Sequence, residues 1–249
     1  MPVPGRENRI PCTLCPLASC RGLRPLDSTQ VAYMEQFKQG ELSIDRGTQV
    51  LVQGQQSAHV FTLLEGVLIR FKLLEDGRRQ IVNFMFPGDL IGLQAAMGEP
   101  LAHGVEALTG VRLCVFARDR FAELIKNHPE LGYDVIWLAA KEEEALEEHL
   151  VALGQRTARE RIAYLAVFLV QRAIETGLAQ GTSVALCVTQ AQIADMLGLS
   201  LVHTNRTLQT LRRSKIILWN LNEIHIGDMD AAREFARFDH SRNARRPYL

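Results

Sequence analysis

The chain has no stretch approaching the ~18–20 uninterrupted apolar residues of a membrane span, and its opening, MPVPGRENRI, lacks the charged-then-apolar layout of a secretory signal. Both absences point to a cytoplasmic protein with no membrane partner, whose thiols stay reduced. Cysteine is scarce. There are five, an odd number at uneven spacing, which argues against a disulfide framework and leaves metal, cluster, redox or burial roles. Net charge is also missing, since 28 Lys+Arg balance 28 Asp+Glu. That zero hides an asymmetry: residues 1–154 carry 15 basic against 20 acidic residues, net −5, and residues 155–249 carry 13 against 8, net +5. A basic C-terminal module beside an acidic remainder suits an anionic partner. Finally, no catalytic constellation is visible. Glu65, Glu106, His59 and His103 are scattered at no telling spacing, which disfavours an enzyme or a small-molecule carrier.

What is present divides by period. With 47% apolar content, 249 residues suit one large or two modest domains. From about Phe37 to Phe116, short apolar runs are separated by Gly47, Gly54, Gly66, Gly77, Gly88 and Gly110. LLEDGRRQIVNF reads as a hairpin, because Asp-Gly suits a tight turn between two apolar runs. Many short strands at this spacing predict an antiparallel barrel or jelly roll. The period then becomes helical: Leu131, Val135, Leu138, Leu146, Leu150 and Leu153 form one stripe, opposite an acidic face of Glu142, Glu143, Glu144, Glu147 and Glu148 read as solvated. Such a stripe can pack back onto the barrel or pair with its twin in a coiled coil. A break near Gly154 precedes a second helix from about Thr157, and GLAQGTSVA, residues 177–185, supplies a loop.

VTQAQIADMLGLSLVHTNRTLQTLRRSKIILW, residues 188–219, carries the functional signal. Thr189 suits an N-cap, and Ile193, Ala194 and Leu197 form a short apolar face. Gly198 permits a sharp turn, Leu199 plugs the corner and Ser200 caps a second helix. On that helix Val202, Leu208 and Leu211 can face inward, while His203, Asn205, Arg206 and Arg212 line other faces. This is a helix-turn-helix, whose second helix enters the major groove of double-stranded DNA. KIILWNLNEIHIGD after it reads as the hairpin of a winged helix, with Asn220 and Asn222 near the turn.

Barrel, long helix and winged helix in this order resemble the Crp/Fnr superfamily of bacterial transcription regulators. The residues that carry the resemblance are LLEGVLIRFKLLEDGRRQIVNFMFPGDLIGL in the barrel and TQAQIADMLGLSLVHTNRTLQTLRR in the reader, and it covers roughly residues 30–228. The fold it implies is α+β: a cyclic-nucleotide-binding-like β-barrel, a long dimerisation helix and a C-terminal winged helix-turn-helix. The expected divisions are a cysteine-containing arm 1–29, a barrel sensor 30–128, a dimerisation helix 129–154 and a DNA-binding domain with its tail 155–249. The resemblance also implies a homodimer on a palindromic site, with RNA polymerase as a further partner. It places Arg206 at the family's base-reading arginine, Thr189 and Gln190 where the first helix meets phosphate, and His203 at a backbone-contacting position. Asn205 stands where the oxygen-sensing members have serine. Val202 replaces the glutamate that usually reads cytosine and offers only apolar contact, for example to a thymine methyl.

The effector is a separate question. GDLIGLQAAMGEPLAHGVEALTGVRLC, residues 88–114, has no arginine before Arg112 and only His103 as another cation, which disfavours a cyclic nucleotide. Cys12, Cys15 and Cys20 form C-x2-C-x4-C, and Cys114 follows in VRLCVFARDRF. That set resembles the Fnr branch, where three N-terminal cysteines and one barrel cysteine hold an oxygen-labile [4Fe-4S] cluster whose loss weakens DNA binding. The loop is one residue shorter than that branch's C-x2-C-x5-C. Zinc, a dithiol switch, simple burial of Cys114, or a cofactor-free regulator responding to an organic ligand or partner stand beside that reading. Cys187 is assigned to structural burial.

Overall fold

The Asp76-Gly77 turn forms as the dipeptide predicts. Gly77 takes a φ of 83°, the Arg78 amide donates to Asp76 Oδ1 at 3.0 Å, and the Leu74 amide closes the loop onto the Arg78 carbonyl at 2.9 Å. The turn joins β4 (Leu68–Leu73) to β5 (Arg79–Met85). The computed structural model describes residues 10–239 and 245–249. Within them, β1 (Gly40–Ile44), β8 (Val111–Ala117), β3 (His59–Glu65) and β6 (Leu90–Ile91) make one four-stranded antiparallel sheet in that order. A second sheet runs β2 (Gln49–Leu51), β7 (Gly104–Ala107), β4, β5. Ile44, Leu63, Ile91 and Leu113 of the first meet Leu51, Leu68, Met85 and Val105 of the second in one buried layer, which is a jelly roll.

Helices flank the roll. α1 (Ser28–Phe37) is opened by Asp27, whose carboxylate accepts the Thr29 and Gln30 amides. α2 (Phe121–Asn127) leads into α3 (Pro129–Gln155), a helix of 27 residues. The expected single stripe on α3 divides. Leu131, Val135 and Leu138 are buried, and Leu131 and Val135 pack into the cluster beneath α1 and α2, whereas Leu150 is 69% exposed. The acidic face is not wholly solvated either: Glu142 takes Arg70 at 2.6 Å and Asn83 at 2.9 Å, and Glu148 takes Arg156 at 3.2 Å. Cations from strand β4 and from the residue after α3 reach glutamates that the helix period alone leaves facing water.

Arg156 breaks the helix in extended conformation, and Thr157 caps α4 (Ala158–Glu175) in a capping box with Glu160. α4 buries Ile162, Tyr164, Leu165, Val167, Leu169 and Val170, more than one face of the helix, because it is packed from more than one side. The reader's core and Val67, Ile69, Phe71, Phe84 and Phe86 of the roll belong to the same buried cluster. At this junction His149 of α3 bridges Tyr164 Oη at 2.8 Å and Asn83 Oδ1 at 3.1 Å. Burial, then Arg70 and Arg156, push the imidazole down to about 3, so the bridge works with a neutral ring.

The segment 177–185, read as a loop, contains two short strands, β9 (Ala179–Gln180) and β10 (Ser183–Val184). β10 is recruited by β12 (Ile224–Ile226), a long-range partner invisible to local pattern. β11 (Ile217–Trp219) pairs with β12 as the wing hairpin, and Asn220 Oδ1 accepts the Asn222 and Glu223 amides at its turn. α7 (Met229–Ala236) packs on α4.

Candidate DNA-reading surface and cysteine pocket

Thr189 caps α5 (Gln190–Leu197) in a capping box with Gln192. Ile193 and Leu197 are buried, and Gly198 takes a φ of 61° that a Cβ-bearing residue adopts only under strain. Ser200 Oγ then accepts the His203 amide to start α6 (Leu201–Ser214). Leu211 is buried and Leu208 partly so, against the reader's core. Val202 departs from the expected inward packing, being 63% exposed. It lies one turn from Arg206 on the outward side, because α6 has its inner face filled by Thr204, Thr207 and Leu211.

The outer surface of α6 thus presents Val202, His203, Arg206, Gln209 and Arg213 to solvent. Arg206 uses its guanidinium in no hydrogen bond or ion pair among the described residues, so it keeps its full donor set. Asn205 is held instead: its amide donates to Gln190 Oε1 at 3.0 Å, and its oxygen accepts from Gln209 at 2.8 Å. The hydroxyls of Thr189 and Ser200 serve their own caps. Arg212 is exposed in the last turn, where a cation also suits the helix dipole. An open groove of about 570 Å³ runs between α6 and the start of α4, lined by Thr157, Arg159, His203, Arg206 and Thr210. Thr157, named only as a helix start, and Arg159, Gln209 and Arg213 carried no sequence signal of their own for DNA contact. Only proximity in space marks the first two, while the helical steps from Arg206 mark the others.

Four of the five cysteines belong to the arm and the roll. Cys12 opens one short 3₁₀ turn and Cys15 joins it to the next, and Cys114 sits on β8 opposite Glu41 of β1. These three line one small cavity of about 20 Å³, room for about one water, with Lys38, Glu41, Met34, Tyr248 and Leu249. Lys38 and Glu41 form a buried ion pair at 2.6 Å beside the thiols, and Lys38 also donates to the Ile10 carbonyl at 2.8 Å. Burial pushes the Cys12 thiol up to about 12, with Lys38 opposing, and raises Cys15, Cys20 and Cys114 as well, so all four are protonated near neutrality. Cys20 faces elsewhere: its thiol reaches the Thr176 carbonyl at the end of α4, at 3.4 Å. In this arrangement the four cysteines do not form a four-thiolate shell, and a cavity of about 20 Å³ does not admit a [4Fe-4S] cube. Among the described residues no group of three or more His, Cys, Asp and Glu is placed to hold a metal ion. Cys187 is half-buried, with the Arg46 guanidinium at 3.3 Å.

A third feature is a cavity of about 300 Å³ between roll and α3, lined by Arg70, Met85, Leu93, His103, Leu138 and Arg246 among others. Arg70 lies outside residues 88–114, and it is paired with Glu142. His103 is half-buried, and burial with Arg70 and Lys72 pushes it down to about 4. No helix among the described residues is long and apolar enough to cross a membrane.

A jelly roll, a long helix and a winged helix-turn-helix with a free basic face define a DNA-binding transcription regulator. The comparisons agree. Residues 41–128 match the cyclic nucleotide-binding domain, and residues 160–235 match the Crp-like helix-turn-helix domain. The chain is 30% identical to the transcriptional activator protein FnrL of Cereibacter sphaeroides, with 83% of each chain covered. It is also 30% identical to the nitrogen fixation regulation protein FixK of Bradyrhizobium diazoefficiens, covering 81% of this chain and 84% of that one. The solved structure of FixK2 from Bradyrhizobium japonicum superposes with a TM-score of 0.68 at 26% identity, over 78% of this chain and 96% of the other. The chain belongs to the Crp/Fnr superfamily of transcription regulators, which is not a family of enzymes.

Proposed function

We propose that this chain is a dimeric, sequence-specific regulator that reads a palindromic DNA site with one α6 helix per half-site. The observation that carries the reading is the outer face of α6, where Val202 and an Arg206 with no partner among the described residues are exposed on a helix whose inner face is locked into the reader core. Arg206 grips guanine O6 and N7, and Val202 meets a thymine methyl. Asn205 is positioned by Gln190 and Gln209 beside them. Thr189, Gln190, Ser200, His203 and Arg212 follow the phosphates, joined by Thr157 and Arg159 across the groove. RNA polymerase as a partner and residence in the cytoplasm follow from the family.

The second copy has a place to sit. On α3, Tyr133, Ile136, Ala140, Glu143, Glu147 and Leu150 recur at alternating steps of three and four, the spacing of a coiled-coil seam, and all six are exposed. Tyr133 and Ile136 are 66% and 65% exposed, large apolar groups that a second α3 would cover. Ile136→Glu is therefore expected to convert the protein from dimer to monomer in sedimentation. It is also expected to weaken binding to a two-half-site duplex by about a hundredfold or more, because the second half-site contact is lost. A dimer of unchanged affinity, or a wild-type protein that prefers no duplex to random DNA, overturns the reading.

A second reading of the arm, a [4Fe-4S] cluster on Cys12, Cys15, Cys20 and Cys114, is supported by the gathering of three of these thiols around one cavity. It requires an arrangement in which Cys20 leaves Thr176. Anaerobic preparation with iron and sulfide assay tests it. About four irons per chain, lost in both Cys15→Ser and Cys114→Ser, supports it, and an iron-free preparation overturns it.

A further inference from the structure

The segment Arg245–Leu249 lies far along the chain from the cysteine arm yet packs directly on it. The Arg246 amide donates to the Gly22 carbonyl at 2.9 Å, and the Arg24 amide donates to the Arg246 carbonyl at 2.8 Å, so Leu23 and Arg246 form a parallel bridge. Beyond it, Tyr248 and Leu249 are 3% and 4% exposed and form one wall of the cavity that holds Cys12, Cys15 and Cys114. Burial, with the neighbouring thiols, pushes the Tyr248 phenol up to about 12, as expected of a ring withdrawn from water.

What holds this plug is a carboxylate shared with the reader. Asp89, in the turn before β6, is 3% exposed. Its Oδ1 receives Arg246 at 2.8 Å and Arg172 of α4 at 2.7 Å, while its Oδ2 accepts the Phe86 amide at 2.8 Å. The same end of α4 grips the arm. The Glu175 carbonyl accepts the Gly22 amide at 2.9 Å, the Thr176 carbonyl takes the Cys20 thiol, and a Cβ on Gly22 would stand 2.6 Å from Glu175 Cβ. Segment 245–249 and α4 therefore meet on one buried anion of the roll, and the arm is hydrogen-bonded to both of them.

We propose that Arg245–Leu249 is a strap that shuts the cysteine pocket, latched through Arg246 and Asp89 to the seat of α4 on the roll. Access to Cys15 and Cys114 is then set by the position of the reader domain rather than by the arm alone. When α4 leaves its seat, Asp89 loses one of its two cations, the arm loses its hold on Glu175 and Thr176, and the strap and arm open together.

Site-resolved alkylation of the full chain by iodoacetamide, read by peptide mass, tests this. Arg246→Ala touches no cysteine, yet it is expected to raise the rates at Cys15 and Cys114 by about tenfold or more, leaving Cys187, outside the strap, unchanged. Arg246→Lys, which keeps a cation for Asp89, restores most of the protection. Unchanged rates at Cys15 and Cys114, or Arg246→Lys as open as Arg246→Ala, overturns the proposal. Wild-type protein supplies the check should Arg246→Ala unfold. Amide exchange at Arg24 and Arg246 must then report an opening equilibrium within about tenfold of that governing Cys114, and a larger gap sinks the strap. Loss of DNA binding in Ile136→Glu leaves these rates untouched, so the two tests fail separately.

Discussion

Asp89→Asn is expected to lower the apparent melting temperature by roughly 6–20 °C. The side chains of Asp89, Arg172 and Arg246 are 4%, 12% and 15% exposed, so two guanidinium groups share one anion away from water. The amide keeps the turn, because its oxygen still accepts from Phe86, but it removes the charge. Arg246 then loses its carboxylate and faces Arg172, which keeps Glu175, and stripping one partner from a buried charge costs about 3–5 kcal/mol. At about 2–4 °C per kcal/mol for a chain of this size, that gives the stated range. The two arginines differ in their response to burial. Burial outweighs Asp89 at Arg246, which is lowered and also repelled by Arg172, whereas Arg172 is raised against burial because Asp89 and Glu175 both pair with it. Adding Arg246→Met to Asp89→Asn removes the like-charge contact and should recover part of the loss, the signature of direct coupling. A melting point within about 2 °C of wild type in calorimetry would remove the buried-charge account.

Arg206→Ala should leave the melting point unchanged and alter DNA reading. The side chain is exposed and unpaired among the described residues, so its truncation leaves no cavity and no stranded partner. A bidentate arginine–guanine contact is worth about 1–3 kcal/mol of discrimination, roughly 5- to 150-fold at that base pair. Competition binding between the operator and a duplex with that guanine exchanged should show the preference disappear, while weak binding to random duplex, supplied by phosphate contacts, persists. An unchanged preference would move base reading to other residues of α6.

Much of the reader was legible because its signals are local. Thr189, Gly198 and Ser200 act through their own backbone neighbours, and each does in the fold what its chemistry suggests within four residues of itself. The Asp76-Gly77 hairpin is of the same kind. Val202 was misplaced on the inner face because apolar character alone does not say which side of a short helix is covered. The groove residue Arg159 gave no signal, since its relation to His203 exists only after α4 is laid beside α6. Three of the four cysteines named as a set, Cys12, Cys15 and Cys114, line one cavity, and Cys20 does not. Their spacing could not show that Cys20 is drawn to Thr176, a contact set by how the arm crosses the end of α4.

The sequence by itself determined the elements and their order: strands from period two and glycine punctuation, helices from stripes and caps, and the helix-turn-helix from one glycine between two capped helices. These follow from forces acting over a few residues. The tertiary structure alone decided that Leu131 and Val135 serve the chain's own core while Ile136 stays exposed, and that Asp89 binds two arginines 83 and 157 positions away. It also decided that Tyr248 closes a pocket of cysteines near the other end of the chain. Such contacts depend on where whole elements come to rest, and a buried charge finds its partner only when packing has removed the water from around it.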